Sequence, residues 1–139
     1  MADKKSLGVF GTRDLYDDRI RLKITETIEK GGYTKIVTAG EPHGACEIAR
    51  KLAQELGMGL ETYYLDIKKG RGMFHHRSKN VIENCDYMLV FHDGSSKGTE
   101  NEVKLLDKMQ KPYEYYKYDK KDDWTTDIDL TDIEDIEIG

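Results

Sequence analysis

The chain has only two cysteines and two prolines among its 139 residues, and it contains no long apolar run. Cys46 and Cys85 are too few and too far apart in the sequence for a disulfide framework or a zinc site. No apolar stretch approaches the roughly 18 residues of a membrane span, and the first ten residues lack the apolar core of a secretory signal. We therefore expect a cytoplasmic protein with no bound metal of its own and no membrane partner.

A surplus of positive charge is also missing. The net charge is −5, and residues 119–139 contribute −7 of it through nine acids and two lysines, which leaves +2 for residues 1–118. This near-neutral body lacks the basic stripe of a nucleic-acid-binding protein, although it could still bind a small anion. The tail at 119–139 mixes isoleucines with acids, so we consider two structures for it: a partly ordered acidic tail, or an added strand or short helix that packs on this subunit or on another.

Strand and helix patterns alternate along residues 1–118, which we predict to form one domain. Short apolar or β-branched runs predict strands at 7–11, 35–40, 60–65, 87–91 and 113–118. Helical patterns begin at Asp17 or Asp18, about His43, about Met73, and Gly98 or Thr99. The alternation predicts an α/β fold: a doubly wound, Rossmann-like sandwich of about five mostly parallel strands, with helices on both faces.

Sheets of this kind bind ligands beyond the carboxyl ends of their strands, near the point where the strand order reverses. Turn-forming and polar residues follow three of the predicted strands. The candidate ligand or phosphate contacts are Gly11, Thr12, Arg13, Gly40, Glu41, Asp93, Gly94, Ser95, Ser96, Lys97, Gly98 and Thr99.

The predicted start of the fourth helix is the strongest of these candidates. Backbone amides at a helix N-terminus lack acceptors within the helix and suit a phosphate, and glycine at position 98 would let one come close. Ser95 and Ser96 add hydroxyl donors, and Lys97 adds charge. A purely structural alternative is a capped turn in which Thr99 is the N-cap and Glu102 is the third helical residue.

Arg13 and the basic run at 68–79 could each contact a ligand or have a purely structural explanation. Arg13 could grip a phosphate with its planar guanidinium, or it could pair with Asp14, Asp17 or Asp18. The run at 68–79, KKGRGMFHHRSK, could form a basic entrance to the site or a solvated loop. Cys46 begins a predicted helix, and we interpret it as a small buried residue rather than as a reactive thiol.

Four segments in order resemble the SLOG superfamily of Rossmann-like nucleotide-binding domains. They are GTRDLYDD, VTAGEPHGACEIARKLAQELG, HHRSKNVIENCDYMLVFHDGSSKGTENEVKLL and QKPYEYY, and the resemblance spans residues 7 to about 117. The YspA-like group is most similar, although Glu41, Pro42 and Cys46 stand where that group has small residues or an aspartate. The resemblance implies a sensor or sequestering protein that binds a nucleotide or a nucleotide-derived small molecule, and it implies a homo-oligomer.

The same superfamily includes the LONELY GUY phosphoribohydrolases, which this chain resembles at Gly98-Thr99-x-x-Glu102 and at Arg77. That resemblance implies an alternative function, cleavage of the N-glycosidic bond of a nucleoside 5′-monophosphate, with Glu102 and Arg77 as catalytic residues. No cofactor is required in either case, although Mg²⁺ could arrive with a nucleotide. A third hypothesis, from the residues alone, is an interaction protein that acts through its acidic tail.

Overall fold

The structure, a computed structural model, describes residues 5–118. The predictions that concern the tail at 119–139, as an ordered element, an oligomer contact or a docking segment, lie outside the described residues. Five strands are present: β1 (Ser6–Gly11), β2 (Lys35–Ala39), β3 (Gly59–Tyr63), β4 (Tyr87–His92) and β5 (Tyr113–Lys117). Four α-helices connect them: α1 (Asp18–Gly31), α2 (Ala45–Glu55), α3 (Met73–Glu83) and α4 (Lys97–Met109).

The strands form one parallel sheet in the order β3-β2-β1-β4-β5. The predicted α/β fold with five parallel strands is therefore confirmed. In the register of the sheet, Val9 at the centre of β1 lies between Thr38 of β2 and Leu89 of β4. Along the chain, β2 pairs with one side of β1, and β3 pairs with the outer side of β2. The chain then crosses to β4, which pairs with the other side of β1. The strand order thus reverses between β1 and β4, which is where sheets of this kind open a crevice.

The sheet separates two apolar layers. On β1, Leu7 and Val9 pack with α1 and α2, whereas Phe10 packs with α3 and α4. The central strand β4 is buried on both faces, which explains why its sequence is continuously apolar instead of alternating. Strand β5 lies at an edge of the sheet and directly follows Pro112, a residue type that is tolerated beside edge strands.

The helix ends follow local rules for capping. The Asp17 carboxylate accepts a hydrogen bond from the Arg19 amide at the start of α1 (2.9 Å), and Gly32 ends that helix with a φ of 69°. The segment before α3, predicted as loop, contains a 3-10 helix at Ile67–Gly72 with a break at Gly70. Among residues 5–118, no helix is long and apolar enough to cross a membrane.

Candidate ligand-binding cleft

A cleft of about 990 Å³ opens at the carboxyl ends of β1 and β4, between α3 and α4. Its volume lies within the range of small-molecule sites. The following residues line it: Gly11, Thr12, Arg13, Asp14, Glu41, Cys46, Arg71, Phe74, His75, Arg77, Ser78, Asp93, Ser95, Ser96, Gly98, Thr99, Asn101, Glu102, Lys104, Leu105 and Lys108.

The turn after β4 holds its shape through hydrogen bonds among its own residues. The Asp93 carboxylate accepts from the backbone amides of Ser95 (2.8 Å) and Ser96 (2.9 Å). Partial burial opposes the charge of Asp93, but these hydrogen bonds outweigh it and keep the pKa below its ordinary value. The Ser95 and Ser96 amides are therefore occupied. The Ser95 hydroxyl also donates to the Asp93 carboxylate (3.3 Å), whereas the Ser96 hydroxyl accepts from Thr99 and keeps its own proton for a ligand.

Buried His92 supports this turn from below. The Ser96 carbonyl can only accept a hydrogen bond, so the Nε2 of His92, 3.1 Å away, carries the proton and donates it. The Nδ1 atom of the neutral ring then accepts from the Tyr115 hydroxyl at 2.5 Å. His92 thus has a structural role in the turn.

The start of α4 differs by one or two residues from the prediction. The helix begins at Lys97, and Ser96 is its N-cap because the Ser96 hydroxyl accepts a hydrogen bond from the Thr99 amide (3.2 Å). The capping box proposed with Thr99 as N-cap and Glu102 as third helical residue is therefore wrong. The amides of Lys97 and Gly98, in the first turn, have no acceptor within the helix. A Cβ atom added to Gly98 would meet only the Ser96 hydroxyl, at 3.9 Å, so the protein itself does not require glycine there.

Thr12 joins the ends of β1 and β4. Its hydroxyl accepts a hydrogen bond from the Asp93 amide (3.1 Å) and lies 3.3 Å from the Thr99 hydroxyl. Gly11 has a packing role, because a Cβ atom there would lie 2.3 Å from the Cβ of Ala45. Both residues therefore shape the cleft, whether or not they also contact a ligand.

The turn after β2 places a carboxylate between two arginines. Glu41 Oε1 lies 3.2 Å from Arg13 Nε, and Glu41 Oε2 lies 2.7 Å from an Arg77 terminal nitrogen. Arg50 fixes the backbone of this turn by donating to the carbonyls of Ala39 (2.7 Å) and Glu41 (2.6 Å). Glu41 is thus a partner of Arg13 that the sequence did not suggest, since the sequence named Asp14, Asp17 and Asp18.

Arg77 is the deepest cation of the cleft. Its side chain is only 7% exposed, and its Nε is buried with no hydrogen-bond partner among the described residues. Buried polar atoms without a partner are rare, and such an atom in a cleft is typical of a site that a ligand or water completes. Glu41 is the acid that pairs with Arg77 in the described part of the chain.

Glu102 is half-buried in the same cleft, one turn inside α4. Burial raises its pKa to about 8, and the charge of Glu41 adds to this rise while Arg77 opposes it. Glu102 is therefore mostly protonated at neutral pH in the empty cleft, and it can donate a hydrogen bond as well as accept one.

Cys46 also lines the cleft, but it is buried. Burial raises the pKa of its thiol to about 11, so the thiolate that a nucleophile or metal ligand needs is scarce at neutral pH. The interpretation of Cys46 as a small buried residue agrees with this geometry.

The mouth of the cleft contains residues that the sequence did not single out individually. Phe74 is 47% exposed at the start of α3, and its ring lies 5.6 Å from the Arg77 guanidinium. Leu105, Lys104 and Lys108 face it from α4. Helical spacing could have placed Leu105, three residues after Glu102, beside it, but only the packing of α3 against α4 shows that these residues line the cleft.

Eleven of the predicted site residues line the cleft: Gly11, Thr12, Arg13, Glu41, Arg77, Asp93, Ser95, Ser96, Gly98, Thr99 and Glu102. Gly40, Gly94 and Lys97 do not. Gly40 instead accommodates the Tyr64 ring, which a Cβ atom would meet at 2.2 Å. Whether any of these residues contacts a ligand stays a prediction.

No group of three or more metal-ligating side chains occurs among residues 5–118. The cleft has no arrangement of carboxylates suited to Mg²⁺, since Glu41 already pairs with two arginines and Asp93 accepts from two amides. The structure therefore offers no support for a bound Mg²⁺.

The sheet order and the cleft at the switch point define a Rossmann-like α/β domain with a space for a small ligand. The molybdenum cofactor binding protein from the phototrophic bacterium Rippkaea orientalis has a similar fold, with a TM-score of 0.63 and 21% identity over 86% of this chain and 80% of that one. The Moco carrier protein from Chlamydomonas reinhardtii is also similar, with a TM-score of 0.56 and 17% identity over 82% and 76% of the two chains. No protein-family model and no curated protein matches the chain. At these identities the likeness establishes the fold.

Proposed function

We propose that the protein binds a nucleotide, or a nucleotide-like phosphorylated heterocycle, in the cleft and holds it without turnover. The start of α4 carries this proposal. Its amides at Lys97 and Gly98 lack helical acceptors, and the helix dipole adds positive potential there. The buried Arg77, with its unpartnered Nε, lies in the same cleft and is a second, independent observation that favours an anionic ligand.

The charge of the cleft fits this ligand class. Five cationic side chains (Arg13, Arg71, Arg77, Lys104 and Lys108) line it together with four carboxyl groups, Asp14, Glu41, Asp93 and Glu102. Because Glu102 is mostly protonated at neutral pH, cations are in excess. Exposed Phe74 supplies an aromatic surface on which a planar ring could stack, beside a cation that suits a phosphate.

The structural neighbours give independent support. Both are described as proteins that carry or bind the molybdenum cofactor. That cofactor is a phosphorylated pterin, so it shares with a nucleotide the combination of a planar heterocycle and a phosphate group. A sensor, carrier or sequestering protein for such a molecule needs a cleft of this size and polarity, and it needs no catalytic group.

N-glycosidic hydrolysis is a second candidate, because Glu102 and Arg77 both line the cleft. A carboxylate that stabilises an oxocarbenium-like state must be ionised, and Glu102 with a pKa of about 8 is not at neutral pH. A protonated Glu102 could instead act as a general acid toward the leaving base. In that case Glu102→Gln would abolish product formation and leave binding largely intact; unchanged cleavage in this variant would remove Glu102 from the reaction.

A charge-bearing substitution at Gly98 tests the binding proposal. Gly98→Asp places an acid in the first turn of α4, where it favours the helix but repels a phosphate. We expect calorimetric titration with nucleoside monophosphates to show at least about tenfold weaker binding, with no loss of thermal stability. The control is Gln54→Glu, which adds the same charge on the exposed face of α2, outside the cleft. Equal binding by the parent and Gly98→Asp would contradict the proposed site.

A further inference from the structure

Glu41 already occupies the position in which an anion would contact both arginines of the cleft. Its two carboxylate oxygens are divided between Arg13 and Arg77, and its side chain is only 15% exposed. The backbone of Glu41 is fixed by Arg50, and the turn is closed at Gly44, which packs on the carbonyls of Thr12 and Arg13. Both the backbone and the carboxylate of Glu41 are therefore fixed by contacts with residues that are distant in the sequence.

We propose that Glu41 is an internal competitor for the ligand's phosphate, and that it makes the cleft discriminate against bare phosphate. This inference rests on the proposed function, because it concerns the same site. A phosphate that approaches Arg13 and Arg77 must displace the carboxylate or share the two guanidinium groups with it. Inorganic phosphate brings no other contacts to offset this competition, whereas a nucleotide also brings a sugar and a ring.

The two arginines differ in how they could respond. The Arg13 side chain is 60% exposed and can turn toward a ligand, but Arg77 is buried and needs a negative partner at all times. Arg77 Nε has no partner but is covered by protein atoms, so a ligand oxygen would reach it only if a neighbouring side chain moved, and Glu41 meanwhile keeps its contact with the terminal nitrogen. Arg13 is therefore the side chain that we expect to exchange Glu41 for the ligand.

Neutralising Glu41 should have two opposite effects. In Glu41→Gln, the buried guanidinium of Arg77 loses its counter-ion, which destabilises the empty protein. A bound anion then supplies the missing charge, so phosphate should bind more tightly and should stabilise the variant more than the parent. If Glu41 only positioned the arginines for the ligand, Glu41→Gln would bind phosphate more weakly than the parent.

The test is the affinity for inorganic phosphate and for AMP, measured by calorimetry on the full chain, together with thermal unfolding with and without phosphate. We expect Glu41→Gln to bind inorganic phosphate roughly tenfold or more tightly than the parent, with a smaller gain for AMP. Its unfolding temperature should be lower without phosphate and should rise further when phosphate is added. Glu55→Gln is the matched control, because it removes an acid from another Glu–Arg pair, with Arg21, outside the cleft.

Unchanged or weaker phosphate binding in Glu41→Gln would overturn the competitor role and would leave the proposed binding function in place. Absence of phosphate and AMP binding in both the parent and the variant would instead overturn the proposed function, and this inference with it. If Glu41→Gln does not fold, Glu41→Asp serves the same purpose, because its shorter side chain keeps the charge but cannot reach both arginines. A gain in phosphate affinity is then still expected, and no gain would overturn the proposal.

Discussion

The turn after β2 and the turn after β4 approach the cleft from opposite sides of β1, and they are stabilised in different ways. The turn at 93–96 uses hydrogen bonds between near neighbours: two backbone amides donate to the Asp93 carboxylate, and the Thr99 amide donates to the Ser96 hydroxyl. The turn at 40–44 depends on partners far along the chain, including Arg77 and the carbonyls of Thr12 and Arg13. A locally bonded turn can present a helix N-terminus as a fixed anion site, whereas a turn held by distant charges can respond when a charged ligand arrives.

The largest effect should separate Gly44, in the turn at 40–44, from Gly98, in the first turn of the helix that follows the turn at 93–96. A Cβ atom at Gly44 would lie 2.3 Å from the Arg13 carbonyl oxygen, and its φ of 78° disfavours any other residue. We expect Gly44→Ala to lower the free energy of unfolding by about 3 kcal/mol, whereas Gly98→Ala, in open space, should change it by less than about 1 kcal/mol. Urea denaturation of both variants checks this, and a similar loss for the two would contradict the described geometry.

The second effect concerns pH, because burial raises the pKa of Glu102 and the charge of Glu41 adds to the rise. The pKa of Glu102 is raised from 4.5 to about 8, so between these values the folded chain keeps a proton that the unfolded chain has lost. Stability should therefore fall as the pH rises from about 4.5 to 8, and this contribution should be constant above pH 8. A shift of this size corresponds to about 5 kcal/mol at full burial, and solvent screening of the half-buried side chain reduces the expected decline to on the order of 2 kcal/mol.

Glu102→Gln should remove that decline, which urea denaturation at a series of pH values would show as a difference between the variant and the parent. Glu100→Gln, the same substitution in the first turn of the same helix, is the control and should retain the decline of the parent. If the free energy of unfolding changes equally with pH in the parent and in Glu102→Gln between pH 5 and 8, Glu102 does not have the raised pKa that we describe.

The smallest effect should appear in the turn after β4. Asp93→Ala removes the acceptor of two amides and should cost about 1–2 kcal/mol at pH 7, whereas Asp93→Asn keeps an acceptor oxygen and should cost about half as much. Because the pKa of Asp93 is lowered, its contribution is present at neutral pH and is lost as the pH falls through the folded-state value, below 3.8. The gap between parent and Asp93→Ala should accordingly narrow at acid pH, and a gap that widens there would contradict this role.

The same difference between local and distant partners explains what the sequence could predict. The α/β fold, the strand count and the Asp17 cap follow from periodicity and from residues close together in the chain, and the structure confirms them. The predicted start of α4 differs from the observed start by one or two residues. The sequence could not decide which of several hydroxyl residues caps the helix. Such choices depend on backbone angles that neighbouring hydrogen bonds set.

The charge arrangement of the cleft could not be predicted. Glu41 and Arg77 are 36 residues apart, and their contact depends on how α3 packs on the sheet. The raised pKa of Glu102 likewise results from burial between two helices, which no local pattern reports. Glu41 was a candidate ligand contact by its position at a strand end, but its pairing with two arginines became visible only in three dimensions.

The most direct test of the binding proposal is native mass spectrometry of the full chain, alone and after incubation with nucleoside mono-, di- and triphosphates, ADP-ribose, cyclic nucleotides and a phosphorylated pterin. We predict that one of these ligands is retained intact, at a mass equal to the protein plus the ligand. Release of free base and ribose phosphate would contradict binding without turnover and would favour the hydrolase. If no ligand on the panel bound or reacted, the cleft would not be the anion site that we propose.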